Sequence, residues 1–324
     1  MNFSGMIKSF VLIFILAATV ASGATIGIIT DGNSVYWKAL QQAAQTTASK
    51  TGVDLLFLSL APATVAQQQE LVNQLLTQNV HALALCPIKA GEQSAFLSEL
   101  AGKTKLCTLL VDAPDSGRRI FFGRDEKRIG EMLAELLPEC VPMGLKIMPF
   151  CKDPEDKAGK TRLESFIARA GEDYFLEPTF ADSGDRMLAQ STLEDLLVKR
   201  PEIAAYIGLE SYHAGLMVHA VVGKGRARMV RLLGVDSGPV SLQALQEGII
   251  HGLVIDDAEQ AGPLIVNALK ALAEEDQAFE LPEDNCIMLP SIQLETAKSL
   301  NTQEMMDAIR VQVPWLSESA HGTP

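Results

Sequence analysis

The chain has 324 residues, 48% hydrophobic and 21% charged, with a formal net charge of -13. This is ordinary globular composition at a length sufficient for two lobes with separate cores, which argues against a disordered chain. The acidic balance disfavours phosphate-backbone binding, so no nucleic-acid partner is expected, and no run beyond the N-terminal segment approaches a membrane span.

In chain order, residues 1–24 carry one positive charge at Lys8, an apolar run over 10–18, and small residues at Ala21, Ser22, Gly23 and Ala24. That pattern reads as a cleavable secretory signal peptide, cut among residues 22–24, with an uncleaved membrane anchor as the alternative. No cysteine lies near the cleavage site, which disfavours a lipoprotein. The five cysteines are Cys86, Cys107, Cys140, Cys151 and Cys286. An odd count leaves at least one thiol over, and buried free thiols are expected. Cys140 and Cys151 fall at opposite edges of an α/β unit, too far apart for a disulfide. Without CxxC or ligand-spaced Cys/His groups, no metal site is expected.

The run 26–29 reads as a strand that opens into the polar loop Asp31, Gly32, Asn33, Ser34 and then a helix with Trp37, Leu40, Ala44 and Ala48 on its stripe. In open parallel sheets ligands sit beyond the carboxyl ends of strands, so residues 31–37 are the first place to look for a site. Strand-like and helix-like runs then alternate: strands over 53–58, 82–86, 106–111 and 120–123, with helices around 71–76 and 94–100 between them. After a helix around 129–137 closed by Pro138, a second series runs through strands over 145–150, 174–180, 204–209, 229–235 and 252–255. Helices around 162–170, 185–198, 212–222 and 242–247 separate these strands. Two such series imply two lobes, each a mostly parallel sheet covered on both faces. A long apolar helix over 258–274, an acidic loop-like stretch, strands near 286–289 and 292, and a tail with Met305, Met306, Ile309 and Trp315 complete the chain.

Four stretches, IGIITDGNSVYWKAL, LLVDAPDSG followed by FFGRDEKRIGEMLAE, LLGVDSGPVSLQAL and GLVIDDAEQAG, resemble in order and spacing the periplasmic sugar-binding proteins of the ribose and galactose type. That family shares its fold with the ligand-binding domains of LacI-type repressors. The resemblance spans residues 25–295 and implies an α/β fold, periplasmic-binding-protein-like I, with two Rossmann-like lobes joined by a three-crossing hinge. The crossings would lie near 124–126, 255–257 and 285–290. The implied division is residues 25–125 with 257–286 in the first lobe, 126–256 with 287–300 in the second, and 301–324 as a tail. No helix-turn-helix precedes residue 25, which disfavours the repressor branch.

The resemblance also implies ligand-binding positions. Tyr36 and Trp37 match paired aromatics that pack on a sugar face, although Trp37 also falls on the core stripe of its helix. Asp112, Asp236 and Asp256 follow apolar strands and match positions that accept hydrogen bonds from hydroxyls, against the alternative of strand-end turns or helix caps. Arg162 matches a ligand-binding arginine, with an exposed surface arginine as its alternative. Arg124 is expected to pair locally with Asp125, with a charge pointed into the cleft as its alternative.

The chain departs from the pattern at Val35, where a proline is usual, at Gly184, where a second stacking aromatic is frequent, and at Leu209 and Glu210, where an amide is usual. Tyr212 or Phe150 are candidates to replace the missing ring. His81, His213, His219 and His251 form no relay with a nucleophile, and no nucleophile elbow, P-loop or GxGxxG occurs, so catalysis is not expected. The implied function is a monomeric periplasmic solute-binding protein without cofactor that captures a sugar or polyol by hinge closure and delivers it to an ABC permease. The alternative is a binding protein that signals to a membrane histidine kinase or chemoreceptor.

Overall fold

The computed structural model describes residues 23–60, 64–171, 173–227 and 229–295. The expected signal peptide up to residue 22 and the tail after residue 295 lie outside the described residues. Among the described residues the strands form two sheets, one of six strands and one of seven.

The first sheet has the order β12-β5-β4-β3-β1-β2, with β1 at Thr25–Thr30, β2 at Asp54–Ser59, β3 at Ala82–Leu85, β4 at Lys105–Leu109, β5 at Ile120–Arg124 and β12 at Cys286–Leu289. Every pairing in it is parallel. Parallel strands need a crossover, and α1 (Val35–Thr51), α2 (Val65–Leu76) and α3 (Ser94–Ala101) provide them. Because both faces are covered, the strand sequences are apolar without alternation. Ile26 and Ile28 pack with Trp37, Leu40 and Ala44 of α1, whereas Ile29, Leu83 and Leu85 pack with Val72, Leu75 and Leu97 on the other face.

The second sheet runs β13-β11-β10-β9-β6-β7, from β6 (Lys146–Cys151), β7 (Phe175–Leu176), β9 (Ile203–Gly208), β10 (Arg231–Val235), β11 (Gly252–Asp256) and β13 (Ser291–Glu295). The strand expected over 174–180 is instead two two-residue pieces, β7 and β8 (Phe180–Ala181), both pairing with β6. On one face α4 (Glu126–Glu135) and α6 (Lys157–Ala170) cover Ile147, Ile207, Leu233 and Val254. On the other, α7 (Arg186–Lys199), α8 (His213–Gly223) and α9 (Pro239–Gln246) cover Tyr206, Leu232 and Leu253. The helix closed by Pro138 is in fact α4 followed by the single turn α5 (Leu137–Cys140), which holds Pro138 near its start, where proline lacks no needed donor.

The chain passes between the sheets three times. It leaves β5 for α4, which packs on the second sheet, and leaves β11 for α10 (Ala258–Glu274), which packs on α1. The third passage is at Pro290. That lies within the crossing expected near 285–290, but the implied division returns the chain to the second lobe from residue 287, whereas Ile287, Met288 and Leu289 pair in parallel with Phe122, Gly123 and Arg124 in the first sheet. Only β13 joins the second sheet, antiparallel to β11. Two short apolar strands separated by one proline carry no local signal of which sheet each will join. The Asp257 N–H donates to Pro290 O at 2.9 Å, fastening two of the passages together.

The helices that follow two of these passages pack through glycines. A Cβ on Gly130 of α4 would lie 2.2 Å from Arg162 O in α6, and one on Gly262 of α10 would lie 2.7 Å from Ala43 Cβ and 2.8 Å from Ala44 N in α1. Both contacts involve backbone that cannot move aside as a side-chain tip can. Gly262→Ala is therefore expected to destabilise by about 1–3 kcal/mol through overpacking. Calorimetry should show a melting midpoint lowered by about 2–4 °C per kcal/mol. An unchanged midpoint would mean that α1 and α10 separate without cost.

Candidate ligand-binding site

The carboxyl ends of strands from both sheets face a cavity of about 580 Å³ lined by residues of β1–α1, β3, β4, β5, β10 and β11 with their following loops. This is the placement that strand-end geometry favours in open parallel sheets.

The first wall is built by the turn from β1 into α1. Ser34 caps α1 by accepting from the Trp37 N–H at 3.4 Å, which sets Tyr36 and Trp37 in the first helical turn beside the strand end. Their rings are 5.1 Å apart and tilted by 58°. Trp37 is 5% exposed and donates its Nε1–H to Asp31 Oδ1 at 2.9 Å, so it serves both the core and the cavity wall. Tyr36 is 6% exposed, yet its hydroxyl has no hydrogen-bond partner among the described residues. Buried hydroxyls are almost always satisfied; the two without a partner among the described residues are those of Tyr36 and Tyr206, and of the two Tyr36 lines the cavity. Burial, reinforced by the negative charge of Asp256, pushes its pKa well up, which keeps it a neutral phenol able to donate or accept. Val35, in the usual proline position, packs against the apolar cluster of the second sheet.

The second wall centres on Asp236 at the end of β10. Its carboxylate accepts from the Gly238 N–H at 2.8 Å and the Ser241 hydroxyl at 2.5 Å, with no cation within ion-pair distance among the described residues. Burial outweighs these bonds and raises its pKa.

The floor is an ion pair. Arg124, from β5, reaches across to Asp256 at the end of β11: Nε lies 3.1 and 3.0 Å from the two carboxylate oxygens and Nη2 lies 2.6 Å from Oδ2. The expected local pairing of Arg124 with Asp125 does not form, because Asp125 is occupied as the N-cap of α4, accepting from the Arg128 N–H at 2.9 Å. The charge of Asp256 raises the Arg124 pKa further. The helix cap expected as the alternative for Asp256 is supplied by its neighbour Asp257.

Four of the six expected contact residues, Tyr36, Trp37, Asp236 and Asp256, therefore line one cavity. Asp112 and Arg162 do not, and each is held elsewhere by an ion pair. Asp112 accepts from Arg118 Nε at 2.5 Å and Nη2 at 2.8 Å, from the Thr108 hydroxyl at 3.0 Å and from the Ala113 N–H at 2.8 Å. Partial burial opposes its charged form, but the bonds and charge of Arg118 win and hold its pKa below the ordinary range. Arg162 is neither exposed nor in the lining: it is 4% exposed, donates from Nε to Glu126 Oε2 at 2.7 Å and from Nη1 to Leu209 O, and lies 3.4 Å from Glu210. Phe150 is buried in the second core and the Tyr212 hydroxyl donates to Asp182 at 2.6 Å, so neither ring replaces the missing aromatic in the lining.

The lining also includes Asp31, Asn33, Cys86, Ser211 and Ser237. Asp31 sits at a strand end by the same rule that selected the other aspartates, so its position was legible. Where Asp112 was expected, Leu110 and Val111 face the cavity. Leu110 has φ +59° and the Val111 N–H donates to Leu109 O at 2.7 Å, a strained three-residue turn of the kind that concentrates at ligand sites. Cys86, Cys107 and Cys151 are buried thiols. Among the described residues no group of three or more His, Cys, Asp or Glu is placed to hold a metal.

Residues 26–277 match the family described as periplasmic binding protein domain. A search of the curated proteins gives no significant match. Among solved structures, the fold is similar to AraP, an arabinose-binding protein from Geobacillus stearothermophilus, at TM-score 0.75 and 14% identity, covering 84% of this chain and 97% of that one. It is also similar to a sugar-binding protein of a sugar ABC transporter from Bacillus halodurans, at TM-score 0.74 and 16% identity over 85% and 98% of the two chains. The XylFII-LytSN complex contains a further similar chain, at TM-score 0.64 and 15% identity over 85% and 98%.

The raised pKa of Asp236 means that the folded state holds its proton more tightly than the unfolded chain. Its contribution to stability is full below the ordinary carboxylate value and is lost as pH rises through the raised value. Asp236→Asn, which retains an acceptor for Gly238, should melt higher than the parent at neutral pH, and the gap should close in acid. Melting curves across that range check the sign, and a lower midpoint for the variant at neutral pH would contradict it.

Proposed function

The chain belongs to the periplasmic binding protein domain family, and on that premise we propose that it captures a sugar or polyol between its two lobes by hinge closure and delivers it to an ABC importer. The observation that carries this reading is the unpartnered Tyr36 hydroxyl in the wall of a cavity lined from both sheets. A polyol would supply the missing hydrogen bond, lay its C–H face on the Tyr36 and Trp37 rings, and donate hydroxyls to Asp236. A ligand that touches groups from both sheets at once favours the closed arrangement by its differential affinity for that state. The family is one of solute-binding proteins rather than an enzyme class, and similarity to AraP and to the Bacillus halodurans transporter protein supports carbohydrate capture for import. Family membership implies an extracytoplasmic location, and the basic-then-apolar N-terminal segment supports the periplasm.

A second reading, delivery of the same signal to a membrane sensor, is favoured by similarity to the chain found in the XylFII-LytSN complex. The genes beside this one discriminate: a permease and an ATPase favour import, a kinase favours sensing.

A thermal-shift screen of the purified protein against pentoses, hexoses and polyols tests capture. A ligand at about 100 times its Kd should stabilise by about 2.7 kcal/mol. Tyr36→Phe should melt slightly higher without ligand, because an unsatisfied buried hydroxyl costs about 1–3 kcal/mol, and should lose part of the ligand-induced shift. No shift with any carbohydrate would overturn the reading.

A further inference from the structure

The charges of the cavity are not balanced. Asp31, Asp236 and Asp256 are its carboxylates, and Arg124 and Lys38 its cations. Arg124 is engaged by Asp256 through three contacts, and Lys38 is exposed at the rim in the first turns of α1. Asp31 and Asp236 are left with neutral donors: the indole N–H of Trp37 and the Cys86 thiol for the first, the Gly238 N–H and Ser241 hydroxyl for the second. The arginines that might have balanced them point elsewhere, Arg118 to Asp112 and Arg162 to Glu126 and Glu210.

This imbalance discriminates between ligand classes. A neutral sugar closing over Asp236 removes water from its carboxylate and brings hydroxyl donors but no charge, while Asp31, exposed in the same lining, adds a second negative charge. Burying an ion carries a large desolvation penalty, and hydroxyl bonds recover only part of it. A protonated amine brings the missing charge and up to three donors in one group. The faces of Tyr36 and Trp37 in the same wall attract a cation as well as a C–H surface. The unpartnered Tyr36 hydroxyl then takes a neutral hydroxyl of the same ligand. The net charge of -13 adds a long-range field that draws cations.

We propose that the cavity selects a ligand bearing a protonated amine beside its hydroxyls, an amino sugar or amino polyol, whose ammonium pairs with Asp236 and gains further attraction from Asp31. This rests on the capture function proposed above and narrows its ligand class.

The test is calorimetric titration and thermal shift of the purified protein with D-glucosamine, D-galactosamine and D-mannosamine, each beside its parent hexose and its N-acetyl derivative. At least one amine should bind about tenfold or more tighter than both of its neutral counterparts, and its binding should weaken with added salt. Asp236→Asn should remove most of that preference, and Asp31→Asn part of it, with circular dichroism verifying that both variants are folded. A neutral sugar binding as tightly as its amine overturns the amine selection and leaves carbohydrate capture standing. Absence of binding by every member of the set overturns the amine selection, and if the wider carbohydrate screen is silent too, capture falls with it.

Discussion

The contact between Arg124 and Asp256 joins the ends of β5 and β11, the two strands whose following residues carry the chain from one sheet to the other. A guanidinium fork bonded to a carboxylate fixes direction as well as distance, so it sets where the two strand ends lie relative to each other. Everything that lines the cavity is referred to that floor. The β1–α1 turn stands on one side of it, the β10–α9 turn on the other, and the Asp257 to Pro290 hydrogen bond holds the third passage against the second.

Around this floor the ion pairs divide the basic residues between structure and site. Arg118 and Arg162 hold Asp112, Glu126 and the end of β9 in place, outside the lining. What remains in the cavity is costly to the empty protein: an unbonded phenol at Tyr36, a desolvated carboxylate at Asp236 and a left-handed backbone at Leu110. Cores do not tolerate such groups unless something repays them, and the close packing of the four apolar clusters supplies the stability that lets them persist. The buried His213 belongs to the supporting structure instead. It accepts from the Glu210 N–H at Nδ1 and lies 2.6 Å from Asp182 at Nε2, which pins the loop that leads from β9 to Ser211 in the lining.

The alternation of strands and helices was legible throughout, because parallel strands covered on both faces are continuous apolar runs and their crossover helices keep one apolar stripe. Boundaries moved by a few residues, as at α6, which begins at Lys157 rather than near Arg162 because Asp156 caps it by accepting from the Gly159 N–H. The differences share one cause. The sequence reading puts β12 and β13 in one lobe although only Pro290 separates them, places Asp112 and Arg162 in the cavity, and pairs Arg124 with Asp125. In each case the deciding partner is distant in sequence or is one of several equally placed neighbours: β5 for β12, Arg118 for Asp112, Glu126 for Arg162, Asp256 for Arg124.

The sequence by itself determined the α/β class, the two series of alternating elements, the family resemblance, and the aromatic pair and strand-end aspartates as candidate contacts. These follow from local period and from where a residue stands on its own strand or helix, which the chain carries within short windows. Only the tertiary structure decided which charged groups face the cavity and which are neutralised away from it. A carboxylate goes to whichever cation the fold brings within hydrogen-bond reach, and that competition is settled between residues as far apart as Arg124 and Asp256, 132 positions along the chain.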